Sequence, residues 1–175
     1  MVILIGGTSH TGKTYLSQKL LEKLHYPYVC IDHLKMGLIR SGQTTLTPED
    51  DDQLTDYLWP IVREMVKTAV ENRQNLIVEG AYIPADWRKD FEEAYLPHIR
   101  CVFLIMTEEY IDRCFSDIRA YANVVEARLD DSNLTADWLK QGNEACFRQC
   151  VTHGCDYLLI DKAYSVTAEA VEAFL

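Results

Sequence analysis

Hydrophobic residues along this chain fall into two alternating rhythms. Short, unbroken apolar runs occupy residues 2–5, 28–31, 76–78, 101–106 and 157–160. They do not alternate with polar residues, so they predict strands buried on both faces of a parallel sheet. Between them, apolar positions recur every three or four residues. Residues 13–24 place Leu16, Leu20, Leu21 and Leu24 on one helical face. A second helix is expected from Thr47-Pro48-Glu49-Asp50, with Thr47 as N-cap, Pro48 in the first position and Asp50 at the capping-box offset. Its buried stripe reads Leu58, Val62, Met65 and Ala69, and Pro60 predicts a kink or break. A third helix is expected from Thr107 towards Ala120, a fourth from about Thr135 to a C-cap at Gly154, and a last from about Thr167. Strands alternating with helices predict right-handed crossovers and a three-layer α/β sandwich. No repeat, low-complexity tract or linker interrupts the pattern, so residues 1–175 read as one domain.

Composition narrows the picture. The chain is 48% hydrophobic and 25% charged, ordinary values for a globular protein. No apolar run reaches the length needed to span a bilayer. The N-terminus lacks a basic region and its apolar run is cut by Gly6-Gly7, so a secretory signal is not expected and a cytoplasmic location is the default. A net charge of −10 argues against a nucleic-acid partner, which needs a basic face. The acidic run Glu49-Asp50-Asp51-Asp52 reads as a solvated helix start. Six cysteines (Cys30, Cys101, Cys114, Cys146, Cys150, Cys155) are expected to be reduced. The i, i+4 pair Cys146 and Cys150, with Cys155 beyond, leaves a metal site open as a second reading beside small buried hydrophobes; no CxxC pair supports the metal.

The chemistry concentrates between the first strand and the first helix. Gly7-Thr8-Ser9-His10-Thr11-Gly12-Lys13-Thr14 fits G-x-x-x-x-G-K-[ST], in the strand–loop–helix context that a phosphate-binding loop requires. Glycines let the backbone wrap around phosphate oxygens with N–H groups turned inward, and the following helix aims its positive end at the same place. Lys13 would reach the β- and γ-phosphates, and the Thr14 hydroxyl would ligate Mg²⁺. His10 occupies an interior variable position; its ring lies either on the outside of the cradle or against the γ-phosphate or acceptor.

Ligands of open parallel sheets sit beyond the carboxyl ends of the strands. Asp32 closes "YPYVCID", Glu79 closes "NLIVEG" and Asp161 closes "YLLID". Acids there hold Mg²⁺ or accept the proton of an attacking hydroxyl. Asp32 and Glu79 are expected to share a mouth with Lys13, whereas Asp161 reads as an ordinary strand-end acid.

"GGTSHTGKT", "IDHLKMGLIR" and "LIVEGAYIPADW" resemble the corresponding stretches of small P-loop kinases. That group includes uridine kinase, 2-phosphoglycerate kinase, gluconate and shikimate kinases, chloramphenicol phosphotransferase and zeta toxins. The resemblance covers most of the chain and implies a five-stranded parallel sheet in the order 2-3-1-4-5 with a short helical lid. It further implies ATP and Mg²⁺ as cofactors, an acceptor region at about 33–72 and a lid at about 121–134. By the same resemblance, Lys13 and Thr14 handle ATP and Mg²⁺, Asp32 orients or deprotonates the acceptor hydroxyl, and Glu79 holds a Mg²⁺-bound water. Arg113, Arg119 and Arg128 become candidates for covering the transferring phosphoryl group, and Lys35 and Arg40 for binding an anionic acceptor.

Two departures carry weight. "EGAYIP" lacks the arginine of the adenylate kinase segment, and the lid region has one arginine and no cysteine quartet. The expected activity is therefore transfer of the γ-phosphoryl group of ATP to a small molecule: a sugar acid, a phosphoglycerate-like compound, or a nucleoside or nucleotide. An antibiotic or nucleotide-sugar kinase is the alternative among enzymes. A nucleotide-binding switch with little turnover is the alternative outside them, although no Asn-Lys-x-Asp segment is present to read guanine.

Overall fold

The computed structural model describes residues 1–121 and 134–172. Its sheet has five parallel strands, β1 (Val2–Gly7), β2 (Tyr28–Cys30), β3 (Leu76–Glu79), β4 (Ile99–Met106) and β5 (Asp156–Ile160), in the order β2-β3-β1-β4-β5. Among the described residues six α-helices accompany them: α1 (Lys13–Leu24), α2 (Ile31–Arg40), α3 (Asp51–Glu71), α4 (Glu108–Tyr121), α5 (Ala136–His153) and α6 (Ala168–Glu172). The architecture is the expected three-layer sandwich in the expected strand order. The reason is visible in the core. Val2, Leu4, Phe103 and Ile105 face one layer, where they meet Leu54, Leu58 and Val62 of α3. Ile3, Ile5, Val102 and Leu104 face the other, where they meet Leu16, Leu20, Ile111 and Leu139. Strands covered on both faces have no polar side to show, hence the unbroken apolar runs.

Several local expectations are corrected. Asp32 does not close the second strand: β2 stops at Cys30, and Ile31 and Asp32 form the first turn of α2. Of the two bonds of the predicted Thr47 capping box one forms: Asp50 Oδ2 accepts from the Thr47 amide at 2.8 Å, but the Thr47 hydroxyl donates to that same oxygen at 2.9 Å, and the Asp50 amide donates to the Thr47 carbonyl at 3.1 Å. They close a free-standing turn, however, and α3 begins afterwards at Asp51. Pro60 neither breaks nor ends α3, which continues to Glu71. Its ring and Asp56, whose carbonyl loses its partner, are both exposed, so water can replace the missing bond. Val66, fully buried, stands in the stripe where Met65 was expected. All six cysteines are free thiols, four of them buried. Among the described residues, no group of three or more His, Cys, Asp or Glu is placed to hold a metal, and no helix is long and apolar enough to cross a membrane.

The strand order positions the site. Register pairs Ile5 with Glu79 and Glu79 with Cys30. Glu79 therefore sits between two exits: one leads within two residues to the glycine loop, the other within two residues to Asp32.

Candidate functional site

The loop after β1 is shaped by backbone rather than by side chains. Gly7, His10 and Gly12 take φ values of 126°, 66° and 87°, positive-φ turns of the kind found in loops that wrap their amides around an anion. Gly6 has no room for a side chain, since a Cβ there would lie 2.4 Å from the ring of Phe103 on β4. Thr11 is fully buried and its hydroxyl donates to the Thr8 carbonyl at 3.0 Å, bracing the loop from within. Lys13 folds back to donate to the same carbonyl at 2.6 Å.

Behind the loop, α1 has Gly12 at its N-cap, with no side-chain cap and no acid in its first turn. α5, in contrast, is capped by Thr135, whose oxygen accepts from the Trp138 amide at 3.2 Å. At α4, Thr107 likewise accepts from the Tyr110 amide at 3.1 Å. An N-terminus whose amide donors are left to an outside acceptor suits an anion.

Glu79 is 1% exposed, and its Oε1 accepts from the Thr14 hydroxyl at 3.1 Å. Burial pushes its carboxyl pKa above the ordinary 4.5; Lys13, Cys30 and Thr14 pull the other way, and Asp32 adds to the rise. Those five groups occupy one neighbourhood, so the structure brings Lys13, Thr14, Glu79 and Asp32 together. A buried carboxylate beside a threonine hydroxyl is a hard-oxygen pair of the type Mg²⁺ prefers. The residues present thus fit the metal and the triphosphate that the loop motif implies.

On the acceptor side, a hydrogen-bonded chain crosses three elements. Lys35 Nζ lies 2.7 Å from Asp32 Oδ1 and donates to the Tyr82 hydroxyl at 2.9 Å. That hydroxyl in turn donates to Asp51 Oδ1, in the first turn of α3, at 2.8 Å. Burial lowers the affinity of Lys35 for its proton, but Asp32 and Tyr82 outweigh it and the net shift is upward. Burial pushes the Tyr82 phenol up to about 12, against Lys35. Sequence reasoning missed Tyr82 and Asp51. Tyr82 lies inside the quoted "VEGAYIP" segment, but nothing in its spacing sets it apart; Asp51 was hidden in an acidic run read as solvated.

The remaining candidates separate. Arg40 is exposed at the far end of α2, about 12 Å along the axis from Asp32. The Arg113 guanidinium donates to the Asp161 and Lys162 carbonyls at 2.8 and 2.9 Å, tying down the segment after β5. Arg119 is exposed on α4, over the Phe115 ring. Arg128, and with it nearly all of the expected lid, lies outside the described residues. His10 takes a left-handed φ that few L residues adopt, so backbone shape is its visible contribution.

This sheet order with an uncapped glycine loop defines the kinase-like P-loop fold. Solved structures agree over nearly the whole chain. The deoxyadenosine kinase from M. mycoides, solved with the products dCMP and dCDP, is similar with a TM-score of 0.55 at 14% identity, covering 99% of this chain and 97% of that one. A shikimate kinase from Bacteroides thetaiotaomicron gives 0.54 at 17%, covering 99% and 92%. A gluconokinase from Sinorhizobium meliloti 1021 gives 0.51 at 14%, covering 98% and 89%. The model of the zeta toxin family matches residues 1–129, and the chain belongs to that family. No curated protein matches it.

Proposed function

We propose that the protein is a kinase that moves the γ-phosphoryl group of ATP, with Mg²⁺, to a hydroxyl of a small molecule. The observation that carries this reading is the convergence on Glu79: its carboxylate meets Thr14 of the phosphate loop, and Lys13 and Asp32 both act on its charge. A fold shared with kinases and membership of the zeta toxin family support phosphoryl transfer in general.

In this reading the Thr14 hydroxyl would ligate Mg²⁺ and Glu79 would hold it through a bound water, and the ion would supply charge neutralisation at the phosphates. The loop amides and the start of α1 bind the triphosphate. Lys13 leaves the Thr8 carbonyl for phosphate oxygens. Asp32 takes the proton of the acceptor hydroxyl on its carboxylate, while Lys35 holds Oδ1 of that carboxylate in place. Positioning and charge do the rest, since in-line phosphoryl transfer needs little covalent help from the protein. The acceptor lies against α2 and the start of α3, within region 33–72 of a single domain spanning 1–175. Sugar acids, phosphoglycerate-like compounds, nucleosides and nucleotides form the first set to test, with antibiotics and nucleotide sugars as the second.

The test is ADP release from Mg-ATP across that panel, with Lys13→Ala and Asp32→Asn run alongside. One acceptor should raise turnover well above the basal rate, and both substitutions should abolish the rise. If ATP binds, no acceptor stimulates turnover and Asp32→Asn behaves like the parent, the protein is a nucleotide-binding switch instead.

A further inference from the structure

Four of the six cysteines share one part of the core. Cys101, Cys150 and Cys155 belong to the same buried cluster, and Cys146 packs against it. Two of them are set apart by the way α5 stops. The helix is capped at Gly154, whose φ of 62° turns the chain back, and the Cys155 amide donates to the Cys150 carbonyl at 2.9 Å. A turn of this kind sets the first and last of six residues side by side, often to close an apolar contact. Here both residues are thiols, 0% and 7% exposed, and each acts on the other's proton. The competing pairs are wider. Cys146 lies one helical turn from Cys150, a spacing of about 5–6 Å between Cβ atoms. Register places Val102 beside Asp156, so Cys101 faces Cys155 across a strand spacing of about 4.8 Å. A disulfide needs Cβ atoms about 3.5–4.5 Å apart.

The Cys155 thiol has a second attachment. It donates to the Ala85 carbonyl at 2.9 Å, and beside it Arg88 donates to the Gly154 carbonyl at 3.4 Å while lying over the Trp87 ring. These contacts seat the loop after β3, which also carries Tyr82, against the end of α5. We propose that Cys150 and Cys155 are a reversible thiol–disulfide pair, closed by hydrogen peroxide, and that closure releases the loop after β3 from α5. In the first step a peroxide oxygen bonds to the Cys155 sulfur, the O–O bond breaks, and the departing hydroxide leaves as water with the thiol proton. In the second the Cys150 sulfur attacks the Cys155 sulfur, the S–O bond breaks, and a second water carries off the Cys150 proton. Two thiols are oxidised to one disulfide, one peroxide is reduced to two waters, and a dithiol reverses the change. The Ala85 carbonyl loses its S–H donor on the way. Burial holds the Cys155 proton above the ordinary 9.0 and keeps the first step slow, while the Arg88 guanidinium pulls towards the thiolate.

The experiment treats the whole protein with hydrogen peroxide, blocks the remaining thiols with iodoacetamide under denaturing conditions, and maps tryptic peptides by mass. Cleavage after Arg148 and Lys162 leaves Cys150 and Cys155 together in peptide 149–162, apart from the other four cysteines. That peptide should escape alkylation and weigh two hydrogens less than its reduced form, and dithiothreitol should restore both thiols. Cys150→Ala and Cys155→Ala should each abolish the change, whereas Cys101→Ala and Cys146→Ala should keep it. Hydrogen exchange then reads the loop: amides 85–90 should exchange about threefold faster or more in the oxidised protein. The parent's own peptide map needs no substitution, so a variant that fails to fold leaves the test intact. Full alkylation of peptide 149–162 after peroxide, or a disulfide joining any other two cysteines, would overturn the pairing. A closed pair with unchanged exchange at 85–90 would overturn the release of the loop. Neither readout involves a nucleotide, so both stand apart from the kinase reading.

Discussion

At the scale of single residues, the site sets function against stability in a way that can be measured. Glu79 is buried as an acid whose proton affinity is raised above the ordinary 4.5. A group that binds its proton more tightly folded than unfolded loses stability for the protein as pH rises from 4.5 through its folded value. Above pH 4.5 the buried carboxyl therefore costs the folded chain stability. Glu79→Gln should raise the melting temperature at pH 7, and the gain should shrink as pH falls towards 4.5. A thermal melt series shows this directly; a gain that is flat with pH would contradict the assignment. His10 offers a second check. Its left-handed φ of 66° costs about 1–2 kcal/mol for an ordinary residue, against about 0.5–1 kcal/mol of chain entropy that glycine would lose. His10→Gly should thus raise stability by about 0–1.5 kcal/mol and leave Mg-ATP affinity unaltered. A large loss of nucleotide affinity would show that the imidazole, not the backbone, serves the site.

At the scale of elements, the chain Asp32–Lys35–Tyr82–Asp51 ties the first turn of α2 and the first turn of α3 to the loop after β3. Tyr82→Phe removes two hydrogen bonds whose partners remain partly open to water, so it should cost about 1 kcal/mol in denaturant unfolding. Its larger effect should fall on KM for the acceptor, because Lys35 then holds Asp32 without support. Strands buried on both faces and α1, α4 and α5, each with a regular apolar stripe and good end signals, were legible to within a residue or two. α2 was not read, although Ile31, Leu34, Leu38 and Ile39 fall at helical spacing and pack on the core: the apolar run of β2 leads straight into Ile31, and the strand was read on through Asp32. Thr47 misled because a capping box and this free-standing turn share the bond from the Thr47 amide to the Asp50 carboxylate.

At the scale of the whole molecule, the strand order does what no local motif can. Pairing β3 between β2 and β1 brings residues far apart in sequence, Asp32, Glu79 and Lys13, to the carboxyl end of the sheet. The loop motif and the strand-end acids were legible because their chemistry is fixed by short spacing. Tyr82 and Asp51 were not, because what distinguishes them is the partner that folding delivers: Lys35, or another strand's loop. The same reasoning redirects Arg113, a candidate clamp by position, to fastening the segment after β5.

The central claim is that Asp32, the Glu79 neighbourhood and the phosphate loop form a single phosphoryl-transfer site. The most direct measurement follows γ-labelled phosphate from Mg-ATP into the acceptor that most stimulates ADP release, with Mg-ATP affinity determined on the same protein samples. Asp32→Asn should lower transfer by about 10²–10⁴-fold while leaving Mg-ATP affinity near that of the parent. Transfer at the parental rate in Asp32→Asn, or a matched loss of binding and transfer, would contradict the account.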